Sequence, residues 1–374
     1  MPPISLLIKP SSSNCNLRCQ YCFYHSLAEK RTTASYGMMD LQTLELLVKK
    51  TFEYADTYCT FAFQGGEPTL AGLDYYKKLI EYVHKYNKNK VKVNYALQTN
   101  GMVIDDAWAK FLSDNKFLVG ISLDGPKDLH DITRLDPQGK GTFSRVMNAV
   151  DLLNRHNAEY NILCVVNNYV ARHARMVYSF FKKHNFRYLQ FIPCLDPLGE
   201  KPGMYPYSLT PGRYAQFLKN LFDEWYNDVS NGNRISIRYF DNLVGMLMGY
   251  PPESCDMTGV CGSYFVIEAN GGVYPCDFYV TDDWYLGSIT DSSFEQLRTS
   301  SAANTFIDVS KHADQQCIDC KWFRLCRGGC RRLREPFENG KPVLNYYCSS
   351  YREFFEYSAG RMLKLAQYFS RSIR

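Results

Sequence analysis

The sequence lacks several features that would set its surroundings. No stretch approaches the ~18 consecutive apolar residues of a membrane span. Met1 to Ile8 holds two early prolines, no basic region and an apolar run too short for an export signal. No membrane association is therefore expected. No run of Lys and Arg stands out, so no nucleic-acid partner is expected either. The seven His form no close set such as H-E-x-x-H, which removes that zinc-enzyme pattern. There is no low-complexity segment. Charge of one sign is not in great excess: 43 Lys and Arg face 38 Asp and Glu, a net +5 that hints only weakly at acidic partners.

Cysteine is plentiful, with 14 in 374 residues. A secreted disulfide scaffold is usually shorter and carries an export signal. The thiols are expected in a reducing, cytoplasmic compartment, where clustered Cys read as metal or redox sites. Aromatic content is high at 15%, which suits well-filled cores and a roomy site lined by rings. The length allows a large core and two or three domains.

The densest signal is Cys15-Asn16-Leu17-Arg18-Cys19-Gln20-Tyr21-Cys22, a C-x3-C-x2-C triplet after the apolar run Ile4 to Ile8. Three thiolates this close can hold three irons of a four-iron cluster and leave the fourth iron open. An open iron is a place for chemistry, whereas a fully ligated cluster mainly carries electrons. Zinc is the competing reading, but structural zinc usually takes four ligands in two spaced pairs.

Beyond the triplet, apolar runs alternate with helical periodicity. Leu41, Leu44, Leu47, Val48, Thr51, Phe52 and Ala55 fall on a helix, and Cys59 to Phe63 reads as a strand ending in Gln64-Gly65-Gly66-Glu67-Pro68. Leu73, Tyr76, Ile80 and Val83 share one face of the next helix. Strands follow at Val91 to Leu97, Phe117 to Leu123, Tyr160 to Val166 and Tyr188 to Ile192, with helices at Asp105 to Ser113, Phe143 to Arg155 and Ala171 to His184. His130 and Arg134 are placed on a loop, and His25 on another. Six strands separated by crossover helices predict an α/β fold, a partial (β/α)6 TIM-type barrel whose open side admits a large substrate. Polar and glycine positions gather at the strand ends, where such folds carry their sites. Lys201 to Pro211 reads as a crossing loop, Tyr214 to Trp225 as an amphipathic helix, and Tyr351 to Leu365 as a closing helix.

A second cysteine field begins at Cys255, Cys261 and Cys276. It continues through Cys317, Cys320, Cys326 and Cys330 to Cys348. Eight Cys make two sets of four, so two fully ligated clusters are the economical reading; one zinc site plus spare thiols is the alternative. Cys59, Cys164 and Cys194 are assigned to packing.

Together these motifs resemble the radical S-adenosylmethionine (SAM) family. The triplet resembles its signature, with Tyr21 at the aromatic position, and Gln64 to Pro68 resembles its GGEP segment, which meets the methionine amino group. The distal cysteines resemble the SPASM extension, which holds two auxiliary four-iron clusters. Gln64 to Gly72, Tyr274 to Tyr279 and Cys320 to Cys326 look like those of anaerobic sulfatase-maturating enzymes, and the likeness covers essentially the whole chain. It implies a C-terminal cysteine-rich SPASM domain: 1–235 for the barrel with its bridging helix, 236–348 for the auxiliary-cluster domain, and 349–374 for the closing helix.

The resemblance implies three 4Fe–4S clusters and SAM as cofactors. Cys15, Cys19 and Cys22 would hold the first cluster, and the eight distal Cys the other two. Tyr21, Gly66, Ser122, Arg134 and Leu195 would contact SAM; a surface salt bridge is the alternative for Arg134. The implied activity is oxidation of a sulfatase Cys or Ser to Cα-formylglycine. A 5′-deoxyadenosyl radical removes a Cβ hydrogen, a base takes a proton and the auxiliary clusters accept an electron. Asp277, next to Cys276, is the candidate base; a buried structural Asp is the alternative. Tyr24, Gln64 and Gln98 are candidate substrate contacts, although simple turn chemistry also accounts for Gln98 to Gly101. The implied partners are an unfolded or nascent sulfatase segment and a reducing donor such as flavodoxin or ferredoxin, with the chain a monomer. Another SPASM enzyme that crosslinks or epimerises a peptide shares these motifs. A bare electron carrier does not need the open-iron triplet.

Overall fold

The computed structural model describes residues 3–262, 264–338 and 340–372. Among them ten strands form: β1 (Ile4–Ile8), β2 (Tyr58–Phe63), β3 (Lys92–Thr99), β4 (Phe117–Ser122), β5 (Tyr160–Val166), β6 (Tyr188–Pro193), β7 (Ser236–Ile237), β8 (Phe265–Ile267), β9 (Gly272–Tyr274) and β10 (Gly287–Ser288). All six strands expected from the alternation are present as β1 to β6, and the fold is α/β with parallel pairing. Two compact units result. The first takes Met1–Ser122, Arg134–Tyr160 and Ser263–Phe306; the second takes Leu123–Thr133, Asn161–Gly262 and Ile307–Arg374.

In the first unit, β1 pairs in parallel with β2, β2 with β3 and β3 with β4. Register follows from burial. Leu6 and Ile8 on β1, and Phe61 and Phe63 on β2, are all nearly inaccessible, and a slip of one residue would turn them outward. Ile8 pairs with Phe63, Phe63 with Leu97, and Leu97 with Val119. The residues that follow, Lys9, Gln64 and Gln98, therefore come level with one another. The other edge of β1 pairs in parallel with β8. From there β8, β9 and β10 form an antiparallel meander. This meander carries Cys276 and Asp277 just beyond β9.

The crossover helices form where the periodicity places them, with two differences of detail. Helix Leu41–Tyr54 starts on Asp40, whose side chain accepts from Thr43 N at 2.6 Å. Helix Leu73–Tyr86 buries Tyr75, Tyr76, Leu79 and Val83 rather than the expected Leu73, Tyr76, Ile80 and Val83. The Tyr75 and Tyr76 rings meet Phe63 edge-on, at 6.4 and 4.9 Å, and this aromatic contact sets the face.

Two segments read as loops are helical. Phe23–Glu29 is a helix that carries Tyr24 and His25, and Lys127–Thr133 is a helix that carries His130. The latter follows Gly125-Pro126, a start signal for a helix. His130 Nδ1 accepts from Asp124 N at 3.2 Å, so this histidine tethers its helix to the preceding turn.

In the second unit, β5, β6 and β7 pair in parallel. Helix Pro211–Ser230 opens on Pro211 and buries Tyr214, Phe217, Leu218, Leu221, Phe222 and Trp225. The closing helix, Cys348–Ser372, buries Phe354, Phe355, Met362 and Leu365. Phe222 sits among the rings of Trp225, Phe240 and Phe354, at 5.8, 5.4 and 5.7 Å. Cys59, Cys164 and Cys194 are buried, as small apolar residues would be. No helix among the described residues is long and apolar enough to cross a membrane.

Phe222 is fully inaccessible, so Phe222→Ala opens a ring-sized cavity. It is expected to cost about 3–5 kcal/mol. A denaturant titration monitored by far-UV circular dichroism measures the loss.

Candidate active site

The site is built at the ends of β1 to β4. After β1 the chain turns through Ser11 and Ser12, both with no accessible surface, and enters the cysteine triplet. Ser12 N donates to Lys9 O and Asn14 N to Ser11 O, which shapes the turn. Leu17 N donates to Cys15 Sγ at 3.4 Å, and Asn100 Nδ2 lies 3.8 Å from the same sulfur. Burial pushes the Cys15 thiol up to about 12 and also raises Cys22. Cys15 lies within electrostatic reach of both Cys19 and Cys22, and none of the three is in a disulfide. The donors are thus three thiols gathered on one turn, as a site-differentiated cluster requires.

Glu67 holds that turn in place. Its carboxylate is 1% exposed and is held by hydrogen bonds. Oε1 accepts from Thr69 N, Thr69 Oγ1 and Thr99 Oγ1 at 3.1, 2.7 and 2.7 Å, and Oε2 accepts from Asn100 N at 2.8 Å. Burial pushes its carboxyl up, and these bonds pull it back. The Glu67 backbone faces the triplet loop. Its N–H donates to Asn14 O at 2.8 Å, and Ser11 Oγ donates to its carbonyl at 2.8 Å. Gly66 sits at φ +54°, where a Cβ would lie 2.3 Å from Asn14 O. Glycine is required there because the triplet loop passes so close.

Asp277 lies 7% exposed just after Cys276, at the start of a short 3₁₀ turn. Its two oxygens have different surroundings. Oδ2 accepts from Tyr24 OH at 2.5 Å and from Gln64 Nε2 at 3.1 Å. Gln64 Nε2 also donates to Tyr24 OH at 3.0 Å. Burial, and then the nearby Asp277 charge, hold the Tyr24 phenol well above its ordinary range, so it remains a donor. Oδ1 is buried without a hydrogen bond and has Lys9 Nζ at 3.6 Å. The same ammonium stands 4.1 Å from the Tyr24 ring centre.

Of the other residues singled out from sequence, Arg134 is 6% exposed and stacks on the Tyr21 ring at 5.5 Å. It lies within electrostatic reach of Cys22. Gln98 Nε2 donates to Ser122 Oγ at 3.1 Å, so these two candidates meet at the ends of β3 and β4. Leu195 lies in the second unit, past β6, in a cleft it shares with Asp196, Arg332 and Tyr347. Two contributors escaped the sequence reading. Lys9 is a charge that closes an apolar strand, a signal visible in hindsight. Glu67 lay inside a recognised motif, but its role as a brace depends on residues of β3.

The distal cysteines divide clearly in the second unit. Cys317, Cys320, Cys326 and Cys348 line a single cavity with Trp322, Phe323, Tyr351 and Phe355. Four thiols on one apolar-walled cavity fit a fully ligated cluster. Cys255, Cys261 and Cys330 form a separate group within electrostatic reach of one another. Burial raises Cys261, while a hydrogen bond with Ser310, and then Arg331 and Arg334, draw it back. Among the described residues, no three His, Cys, Asp or Glu groups converge on a single-ion site; in a four-iron cluster each thiolate binds a different iron.

Residues 10–177 match the radical SAM superfamily, and residues 255–321 match an iron–sulfur cluster-binding domain. The fold and site thus define a radical SAM enzyme with an auxiliary-cluster extension. Its cofactors are SAM and iron–sulfur clusters.

A cysteine-type anaerobic sulfatase-maturating enzyme of Clostridium perfringens is 53% identical over 366 residues, covering 98% of this chain and 99% of its own. The Clostridium novyi enzyme of the same type is 50% identical, covering 98% of each chain. A serine-type relative from Bacteroides thetaiotaomicron is 31% identical, covering 96% and 90%. Among solved structures, native anSMEcpe with bound AdoMet and Cp18Cys peptide aligns with TM-score 0.95 at 52% identity, covering 98% of this chain and all of the other. The chain belongs to the anaerobic sulfatase-maturating enzymes, and its relatives near half identity are of the cysteine type.

Removing the Glu67 carboxylate strands the Thr69, Thr99 and Asn100 donors in a buried place, at about 1–3 kcal/mol per unmet group. Glu67→Ala is expected to lower stability by at least about 3 kcal/mol and to lose iron from the triplet site. Glu67→Gln keeps an acceptor and loses less. Denaturant unfolding and iron content per chain test both.

Proposed function

We propose that this enzyme oxidises a cysteine side chain within a sulfatase polypeptide to Cα-formylglycine. Support comes from the full-length identity to cysteine-type enzymes. The single structural observation that carries the chemistry is the asymmetric environment of Asp277. When bound, SAM and the triplet's cluster supply the radical that removes a Cβ hydrogen, and the auxiliary clusters supply an electron acceptor.

The chain's own residues then handle the proton. Tyr24 and Gln64 fix Oδ2 of Asp277 with two donors. Oδ1 is left as the oxygen that takes the thiol proton of the target. Burial of Asp277 and Lys9 limits water at this transfer. Gln64 and Tyr24 also face the target side chain, and Gln98 borders the same row of strand ends. Arg134, held on Tyr21, pairs with the SAM carboxylate, and Ser122 donates to the cofactor. The side chain loses two protons and two electrons in all: one hydrogen atom, then a proton and an electron. Hydrolysis of the resulting thioaldehyde releases hydrogen sulfide and leaves the aldehyde.

Supporting assignments complete the reading. The target segment is unfolded or nascent when it is modified, in the cytoplasm, and a flavodoxin- or ferredoxin-type donor supplies the initiating electron to a monomeric enzyme. Residues 1–235, 236–348 and 349–374 act as barrel, auxiliary-cluster domain and closing helix.

Reduced, reconstituted enzyme is expected to convert a sulfatase-derived Cys peptide with SAM to a product that has lost hydrogen sulfide and gained oxygen, read by mass spectrometry. Formation of 5′-deoxyadenosine with an unchanged peptide would overturn the assignment. Asp277→Asn is expected to keep SAM cleavage and to cut product formation by about 100-fold or more.

A further inference from the structure

We propose that Lys9 is a positioning residue for the proton-transfer step, a role that rests on the reading of Asp277 as the base. The lysine is 2% exposed. Burying an ammonium is costly unless an opposite charge or a ring faces it. Here it has both: Asp277 Oδ1 at 3.6 Å and the Tyr24 ring at 4.1 Å. The backbone also makes room for it. Gly65 lies at φ +100°, and a Cβ there would lie 2.3 Å from Lys9 Nζ and 2.9 Å from its Cγ.

The distance matters as much as the charge. At 3.6 Å the ammonium attracts Oδ1 without occupying it by a short hydrogen bond. Tyr24 and Gln64 occupy Oδ2 instead. Lys9 thereby orients the carboxylate while leaving Oδ1 with no hydrogen bond. The step that follows breaks the target's S–H bond and forms an O–H bond on Asp277, while the electron pair stays on sulfur. Asp277 becomes neutral at that moment. Lys9 does not, and it is left as a fixed positive charge beside the deprotonated substrate radical until that radical gives up its electron to the acceptor the reaction already uses. Preorganised charge of this kind acts where negative charge develops.

The groups facing Asp277 come from three elements. Lys9 follows β1, Gln64 follows β2, and Tyr24 lies on helix Phe23–Glu29. Only Lys9 among them carries a charge that survives the proton transfer.

The test uses reconstituted holoenzyme and a peptide deuterated at the target Cβ. It reads two quantities: deuterium transferred into 5′-deoxyadenosine, and formylglycine formed per 5′-deoxyadenosine. Lys9→Met is expected to keep deuterium transfer within about twofold while the product ratio falls about tenfold or more, and Lys9→Arg to restore most of the ratio. A native ratio in Lys9→Met would overturn the proposal. So would loss of deuterium transfer and product together, or failure of Lys9→Arg to do better than Lys9→Met. Asp277→Asn separates the two readings. If it keeps the native ratio, the assignment of the base fails; if it loses the ratio while Lys9→Met keeps it, only the role of Lys9 fails.

Discussion

A carboxylate with no accessible surface to speak of, braced by four hydrogen bonds, is the constraint on which the first unit depends. Glu67 reaches forward to Thr99 and Asn100 at the end of β3, and its backbone reaches back to Ser11 and Asn14 ahead of the triplet. Buried polar groups are costly unless their hydrogen bonds are made, and a fully satisfied group fixes its neighbours in return. The position of the triplet is therefore set by the sheet beneath it, and not by the loop's own preferences. The same staple brings Asn100 Nδ2 toward Cys15 Sγ. Iron then meets a turn already shaped by β2 and β3.

The second organising feature is a division of labour within one side chain. Neutral donors hold one oxygen of Asp277, and the other faces only a cation. Carboxylates used purely for structure tend to have both oxygens saturated, as Glu67 does, whereas Asp277 Oδ1 has no hydrogen bond among the described residues. The two buried acids of this unit thus show opposite solutions to the same desolvation problem. Asp277 also follows Cys276 directly in the chain, so the proposed base is one peptide bond from a proposed cluster ligand.

Much of this was legible in the sequence because the signals are local. Cys15, Cys19 and Cys22 announce their chemistry through spacing alone, and the eight distal Cys read as two sets of four, but that Cys348 rather than Cys330 joins Cys317, Cys320 and Cys326 emerges only from the cavity they line. The alternation of β1 to β6 with helices was equally plain. Long-range contacts were not. Which face of Leu73–Tyr86 turns inward depends on aromatic contacts with Phe63. The helix Lys127–Thr133 is short and weakly periodic, and a histidine tether to Asp124 marks it. Lys9 acquires meaning only when β1 pairs with β8 and the meander brings Asp277 beside it. Sequence separation hides such pairs, because nothing near Lys9 in the chain requires a carboxylate partner.

The pairing of β1 with β8 carries a consequence for how the protein is made. One edge of β1 is covered once residues 58–63 have emerged from the ribosome, but the other waits for Phe265–Ile267. At about 5–20 residues per second the wait lasts on the order of ten seconds or more. Throughout that interval the first strand offers an open, apolar edge to any passing extended chain. The triplet is synthesised early, whereas Asp277 arrives ten residues after the strand that closes the edge. A growing chain therefore carries its cysteine triplet well before Asp277, and the two are present together only when most of the polypeptide is already built.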